Sequence, residues 1–355
     1  MTDKRKPRII EVLTQQQKRG FSMEQSSTCI KFTSNQKKGK GDLDTPLSEY
    51  SPKDKKWDRD RAITQEMSDF LMHIERFERW AERMEGCTRS LGFGEVVDIE
   101  TGEIKPKLVN AFFCHCRHCQ ICDGRKSLVR MGRFKAKLPI IEEQYPKARW
   151  ILLTLTVPNC PVNELRSTLA SMNKAWTRLI KRKAFKPVLG WIRATEVTQE
   201  KKRKDYAHPH FHVLLLVPPS MISGVNYIKH ADWLQLWRDC YKDQSIQMVN
   251  VKTIKGGTMK GAVETLKAFN YSMKVDELIS RSPEWILEYM DQVHSLRFIS
   301  TGGVLKDVLK DIDGDLTDQD MIHIDENGNI QEEGASEVVR VATWRPSEKI
   351  YRMKK

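Results

Sequence analysis

No apolar run in this sequence approaches the roughly 20 residues that a membrane-spanning helix needs, so a helical membrane anchor is not expected. The opening residues, MTDKRKPRIIEVLTQQQK, lack the hydrophobic block of a secretory signal. A cytoplasmic, reducing location is therefore the expectation, and with it an absence of structural disulfides. No glycine loop of the GxxxxGK[ST] type is present, which argues against a helicase motor in this chain. No internal repeat is visible, so a solenoid is not expected either. Hydrophobic residues are scarce, at 39%, and charged residues reach 30%, as suits a water-soluble protein with solvated flanks.

What the sequence does have is an excess of positive charge. Lys and Arg total 60 against 47 Asp and Glu, a net charge of +13 over 355 residues. That charge lies on the surface and favours a polyanionic partner, nucleic acid above all. Eight cysteines are present, four of them within Cys114–Cys122. In a reducing location they are free thiols or metal ligands.

The chain divides by composition into four parts. Residues 1–55 are polar and without period, which predicts a flexible basic arm. Residues 56–145 are helical and cysteine-rich, 146–310 carry the catalytic signals, and 311–355 form an acidic segment and a basic tail. Met67, Phe70, Leu71, Ile74, Phe77, Trp80 and Met84 recur at three- and four-residue steps and predict one amphipathic helix ending near Gly86. Residues 92–102 read as a turn-rich connection, and a second helical pattern runs from Ser127 to Ile141. Residues 150–157, 191–198 and 211–217 are β-rich; helices are predicted at 165–183, 232–241, 263–278 and from Pro283, with Ser282 as N-cap, to His294. This order predicts an α+β fold with a central antiparallel sheet and flanking helices, plus a small zinc-binding element.

The strongest chemical signal is HPHFH at 208–212, running into the apolar VLLLV. Side chains alternate along a strand, so His210 and His212 share a face while Phe211 points the other way. Two imidazoles on one face make half of a metal site. His208 has the same parity, but Pro209 and the loop before it leave its direction open. Glu196 is the candidate third ligand if 191–198 and 210–217 pair antiparallel across the basic loop EKKRKDYAHP; on spacing alone it is equally a strand-end carboxylate paired with a lysine. Tyr271, in the predicted helix 263–278, has Lys274 three residues on and so on the same face.

In the cysteine block, Cys119-x-x-Cys122 has the spacing of half a tetrahedral zinc site. Cys114, Cys116 and the distant Cys87 are the further candidate ligands. Arg125, Lys126, Arg130 and Arg133 follow directly, with Lys135 and Lys137 beyond; this run reads equally as a DNA-contacting face or a solvated one.

TLTVPN (154–159), HPHFHVLLLV (208–217) and NYSMK (270–274), in that order, resemble the three motifs of rolling-circle replication initiators. These belong to the single-strand endonucleases with a histidine–hydrophobic–histidine metal motif. FFCHCRHCQICDGRKS (112–127) and RFISTGGVLKD (297–307) are similar to the plasmid initiators found mainly in Gram-positive bacteria and in cyanobacteria. The resemblance spans residues 85 to 310. It implies that His210 and His212, with Glu196 as a third ligand, hold Mg²⁺ or Mn²⁺. It implies that Tyr271 attacks plasmid origin DNA to give a 5′-phosphotyrosine and a free 3′-hydroxyl, that Lys274 orients the phosphate, and that zinc is structural. The family pattern has cysteines at 114, 119 and 122, so Cys116 is an addition. A glutamate common in the family one turn before the tyrosine is Lys267 here; the nearest upstream acid is Glu264, one turn farther, which leaves its part in termination open. Lys201, Lys202 and Arg203 of the basic loop, together with the N-terminal arm, are expected to hold DNA, while a host helicase and DNA polymerase supply strand separation and extension. A transposase or relaxase of the same chemistry, or a zinc-containing regulator without catalysis, are the alternative readings.

Overall fold

The computed structural model describes residues 44–97, 102, 104–254, 274–308, 310, 316–331 and 337–354. In chain order the main elements are α1 (Lys56–Leu71), α2 (Glu78–Gly86), β1 (Ser90–Val97), β2 (Ile104–Ala111), α3 (Gln120–Gln144), β3 (Arg149–Thr156), α4 (Leu165–Leu179), β4 (Gly190–Gln199), β5 (Tyr206–Val217), α5 (His230–Tyr241), β6 (Val249–Thr253), α6 (Val275–Ile279), α7 (Pro283–Val293), β7 (Ile299–Gly303), β8 (Arg340–Arg345) and β9 (Ile350–Met353). The fold is α+β, and every strand pairing is antiparallel. No helix among the described residues is long and apolar enough to cross a membrane.

The larger sheet has the order β6-β3-β5-β4-β7, with the short strand Cys160–Pro161 pairing beside β5. Its central strand explains the layering. Phe211, Val213, Leu215 and Val217 are fully buried on one face, against Trp176 of α4 and Trp233 and Trp237 of α5. Leu214 and Leu216 project from the other face onto Phe134, Leu138 and Ile141 of α3. Burying a Leu or Phe side chain contributes roughly 1.5–3 kcal/mol, so the central strand is held from both sides. Pro218 ends it, because proline has no N–H for the ladder.

The smaller sheet runs β9-β8-β1-β2. Its last two strands come from the far end of the sequence, and the fully buried Tyr351 of β9 locks them down. The Tyr351 hydroxyl donates to the carbonyl of Thr88 at 2.7 Å, while Arg61 of α1 donates to the Glu85 carbonyl and lies over the Trp344 ring of β8.

Several elements differ from the sequence expectation. The predicted helix ending near Gly86 is two helices, broken at residues 72–74, where Ile74 is extended. The apolar phase continues across the break because both helices bury the same side, and the turn contains neither Gly nor Pro to announce it. Of residues 92–102, read as a turn-rich connection, 92–97 belong to strand β1, which pairs antiparallel with β2 (Ile104–Ala111). Residues 340–353, read as tail, form two strands; alternation in so short a segment is a weak signal.

The basic run of α3 has partners within the protein. Arg125 turns inward and donates to the carbonyls of Met321 and Ile324, with burial lowering its pKa to about 10. Arg133 pairs with Asp320 at 2.7 Å, and Lys126 donates to the His115 carbonyl. Lys135 donates to the Asn327 carbonyl in a tight turn where Gly328 adopts φ +71°. Arg125, Arg133 and Lys135 bind the segment 316–331 to the helix, while Lys126 ties it to the chain before it. Arg130 has its Nε buried without a hydrogen-bond partner among the described residues.

Tyr351→Phe leaves the buried Thr88 carbonyl without its donor and is expected to lower stability by about 1–3 kcal/mol, read as a lower urea midpoint at unchanged m-value.

Candidate metal centres

Register places the first centre. Glu196 of β4 lies directly opposite His210 of β5, and Ala194 opposite His212. Partners across a ladder share a face, so Glu196 and both imidazoles stand together, beyond the part of that face which α3 covers. Glu196 Oε2 lies 2.7 Å from Nε2 of His210 and 2.7 Å from Nε2 of His212. The lysine pairing that spacing alone left open for Glu196 is not the arrangement seen. Burial would raise the Glu196 pKa, but hydrogen bonds from His210 and His212, and their charge, outweigh it and bring it to about 2.

Three ligand atoms from these residues lie within 4.8 Å of one another. Two imidazole nitrogens and one carboxylate oxygen suit a first-row divalent cation and leave coordination positions open toward solvent. Without a cation the carboxylate accepts N–H bonds from both rings; with one, the same three atoms become ligands. The outer ring nitrogens are already placed for that exchange. His212 Nδ1 lies 3.2 Å from the Thr154 hydroxyl, and His210 Nδ1 lies 3.4 Å from the His208 carbonyl, so an Nδ1–H on each ring has an acceptor when Nε2 gives its lone pair to a cation.

His208 stands apart from the three. Its Nδ1 meets Asn159 Oδ1 at 2.5 Å, and it positions the loop after β3. Thr154 and Asn159 lie within TLTVPN and were given no role from sequence; the signal that finds them is the β3–β5 register, which pairs Thr154 with His212. Tyr271 and Glu264 lie outside the described residues. Lys274 is described and, where a helix was expected, its backbone is extended and forms the N-cap of α6. Its ammonium lies 3.6 Å from Glu277, so the helical i, i+3 argument does not place it beside Tyr271. Lys201, Lys202 and Arg203 stand exposed in the turn joining β4 to β5, at the histidine end of the sheet. Arg203 bonds Glu200 at 2.8 Å and lies 3.7 Å over the Tyr206 ring.

The second centre is made of sulfur. Cys87 follows α2, Cys114 follows β2, and Cys119 and Cys122 open α3; all four are buried. Cys87 and Cys114 each approach Cys122 at 3.6 Å, and Cys119 approaches Cys87 at 3.6 Å. Those separations are far longer than a disulfide bond of about 2.05 Å. They are close to the edge of about 3.8 Å that four sulfurs have when each lies 2.3 Å from a central zinc. Cys116 falls outside the group of four, so Cys87 is the fourth sulfur. The Cys119 sulfur also accepts the Cys122 N–H as N-cap of α3. Burial raises the Cys119 pKa, but hydrogen bonds from Cys114, Cys122 and Cys87 outweigh it and bring it well below the usual thiol range. Thr64 reaches the same sulfur at 3.6 Å, a neighbour with no signature in the sequence.

The depressed pKa of Glu196 fixes the sign of a pH effect. Its ionised form stabilises the fold above the ordinary value of 4.5, and that contribution is lost as pH falls from there toward about 2. In EDTA-treated buffer, Glu196→Gln is expected to be less stable than wild type at pH 7, with the difference shrinking below pH 4.5; urea titrations across that range measure it, and a pH-independent difference would refute the ionic origin.

The profile of the replication protein family Rep_1 matches residues 105–352. A Rep protein of Streptococcus pneumoniae is 27% identical over 308 residues, covering 85% of this chain and 93% of its own. One from Bacillus amyloliquefaciens is 32% identical over 296 residues, covering 77% and 85%. One from Staphylococcus aureus is 36% identical over 208 residues, covering 58% and 87%. No solved structure matches this chain. Glu196, His210, His212 and three of the four clustered cysteines fall inside the matched span, and the chain belongs to the Rep_1 replication protein family, the plasmid rolling-circle initiators its ordered motifs resemble.

Proposed function

We propose that this chain starts plasmid rolling-circle replication by nicking one strand of origin DNA and later rejoining it. The observation that supports this reading is the Glu196–His210–His212 constellation on a partly open sheet face, in a chain of this family. In the proposed reaction the Tyr271 hydroxyl loses its proton and attacks the scissile phosphorus. A P–O bond to tyrosine forms as the bond to the 3′-oxygen breaks, and that oxygen takes up a proton. The product is a 5′-phosphotyrosine and a free 3′-hydroxyl, which a host polymerase extends. Because one phosphodiester replaces another, the reverse attack by a 3′-hydroxyl at termination rejoins the strand.

Mg²⁺ or Mn²⁺ bound at the three ligands would withdraw charge from a non-bridging phosphate oxygen. Glu196, His210 and His212 hold that position, and Thr154 fixes the orientation of the His212 ring. Lys201, Lys202 and Arg203, exposed beside the centre, are proposed to meet the DNA backbone there. With no ATP-binding loop in the sequence, duplex opening falls to a host helicase. The cysteine cluster is proposed to hold one zinc ion in a closed site, which fixes architecture and takes no part in the reaction.

Incubation with Mn²⁺ and labelled single-stranded origin DNA is expected to give an adduct that survives denaturing electrophoresis. Tyr271→Phe should abolish it, and His212→Ala should reduce its rate by about 10²-fold or more. Cleavage without an adduct would point to a hydrolase, and binding without cleavage to a regulator.

Purified protein is expected to carry one zinc per chain. Cys116→Ser should keep it, whereas Cys87→Ser should lose it and melt at a lower temperature; elemental analysis and a thermal scan of both variants decide this, and equal zinc content in the two would overturn the ligand assignment.

A further inference from the structure

The face of the large sheet opposite Glu196 holds a charge that nothing in the proposed nicking reaction uses. Arg193 of β4 is 93% buried by its 7% exposure, and burial lowers its pKa to about 10. Its guanidinium lies 4.2 Å over the Phe211 ring and 5.6 Å from that of Trp176. Among the described residues no carboxylate pairs with it, and its Nε has no hydrogen-bond partner. An isolated buried cation is costly unless it is paired, and two aromatic rings offset only part of that cost because they offer no hydrogen-bond acceptor in the guanidinium plane.

Arg193 faces a cavity of about 180 Å³, bounded by Leu169 and Asn173 of α4 and by Thr195, Arg297, Phe298 and Ser300. Ser300 of β7 lies directly opposite Arg193 across the ladder, and its buried hydroxyl also lacks a partner. Thr195 adds a second hydroxyl, Asn173 a side-chain amide, and Arg297 a second cation at the exposed rim. The lining thus offers a guanidinium, two hydroxyls and an amide around one space, with no acidic residue among them. That is the donor set of an oxyanion site. Arg297 and Ser300 both come from RFISTGGVLKD, which the nicking chemistry leaves without a task.

We infer that this cavity binds a phosphate monoester, with Arg193 and Ser300 as its inner donors. The group comes either from a free small phosphate or from the 5′-terminal phosphate of a nucleic acid strand; a monoester presents three terminal oxygens to these donors, whereas a backbone diester presents two. The site is separate from the metal centre and does not depend on Tyr271.

The test is titration of the full chain with inorganic phosphate at constant ionic strength, followed by melting temperature and by ³¹P line broadening. Wild type is expected to melt several degrees higher at millimolar phosphate than in matched chloride. Ser300→Ala should bind about 5–10-fold more weakly, and Arg193→Met should not respond. Ser300→Ala keeps the guanidinium in place, so the test stands even if Arg193→Met folds poorly. Competition with a short single strand carrying a 5′-phosphate, against the same strand with a 5′-hydroxyl, separates the sources: displacement by the first alone assigns the nucleic acid end, and displacement by neither assigns the free phosphate. No phosphate response in wild type, or an equal response in Ser300→Ala, overturns the proposal. Loss of nicking in Tyr271→Phe leaves this outcome untouched, so the two readings fail independently.

Discussion

The register between β4 and β5 is the constraint on which the candidate centre rests. A shift of one residue would turn Glu196 away from His210, and a slip of β5 would send both imidazoles toward the helices that cover Phe211. The register is therefore defended by the core, not by the site. Four apolar side chains on one face and the leucine pair on the other fix the strand far more firmly than three polar residues could. The centre inherits its geometry from packing a few residues away, and its own hydrogen bonds only refine it.

The second constraint is the sulfur cluster, and α3 links the two. That helix opens on Cys119, whose sulfur caps its first turn, and later lays Phe134, Leu138 and Ile141 under the larger sheet. A helix start favours negative charge, which agrees with the low pKa of Cys119. The cluster also gathers the ends of α2 and β2, so the smaller sheet and the helical pair are tied to the element that supports the larger sheet.

Much of this was legible in the sequence because it rests on short-range rules. Alternation in HPHFHVLLLV gave both the shared face of the histidines and the burial of Phe211, and Ser282-Pro283 gave the start of α7. Cys119-x-x-Cys122 showed the knuckle, but the choice between Cys87 and Cys116 depended on where α2 ends in space, which no local pattern states. The ordered motifs resembled an initiator family, and comparison with known proteins places the chain in it. What stayed hidden was long-range. The carbonyl and carboxylate partners of Arg125 and Arg133 lie nearly 200 residues away, so no local pattern names them. Lys274 looked helical because nothing nearby in its sequence marks it as an N-cap.

The position of β8 and β9 carries a consequence for how the molecule comes into being. Leu91 and Phe93 of β1 are fully buried in a sheet that contains strands from residues 340–353. During translation β1 and β2 leave the ribosome more than two hundred residues ahead of those strands. The hairpin beside the cysteine cluster therefore waits, one edge open, through the synthesis of the entire larger sheet. Its closure is a late event of biosynthesis, and a chain truncated before β8 lacks the strands that complete this sheet.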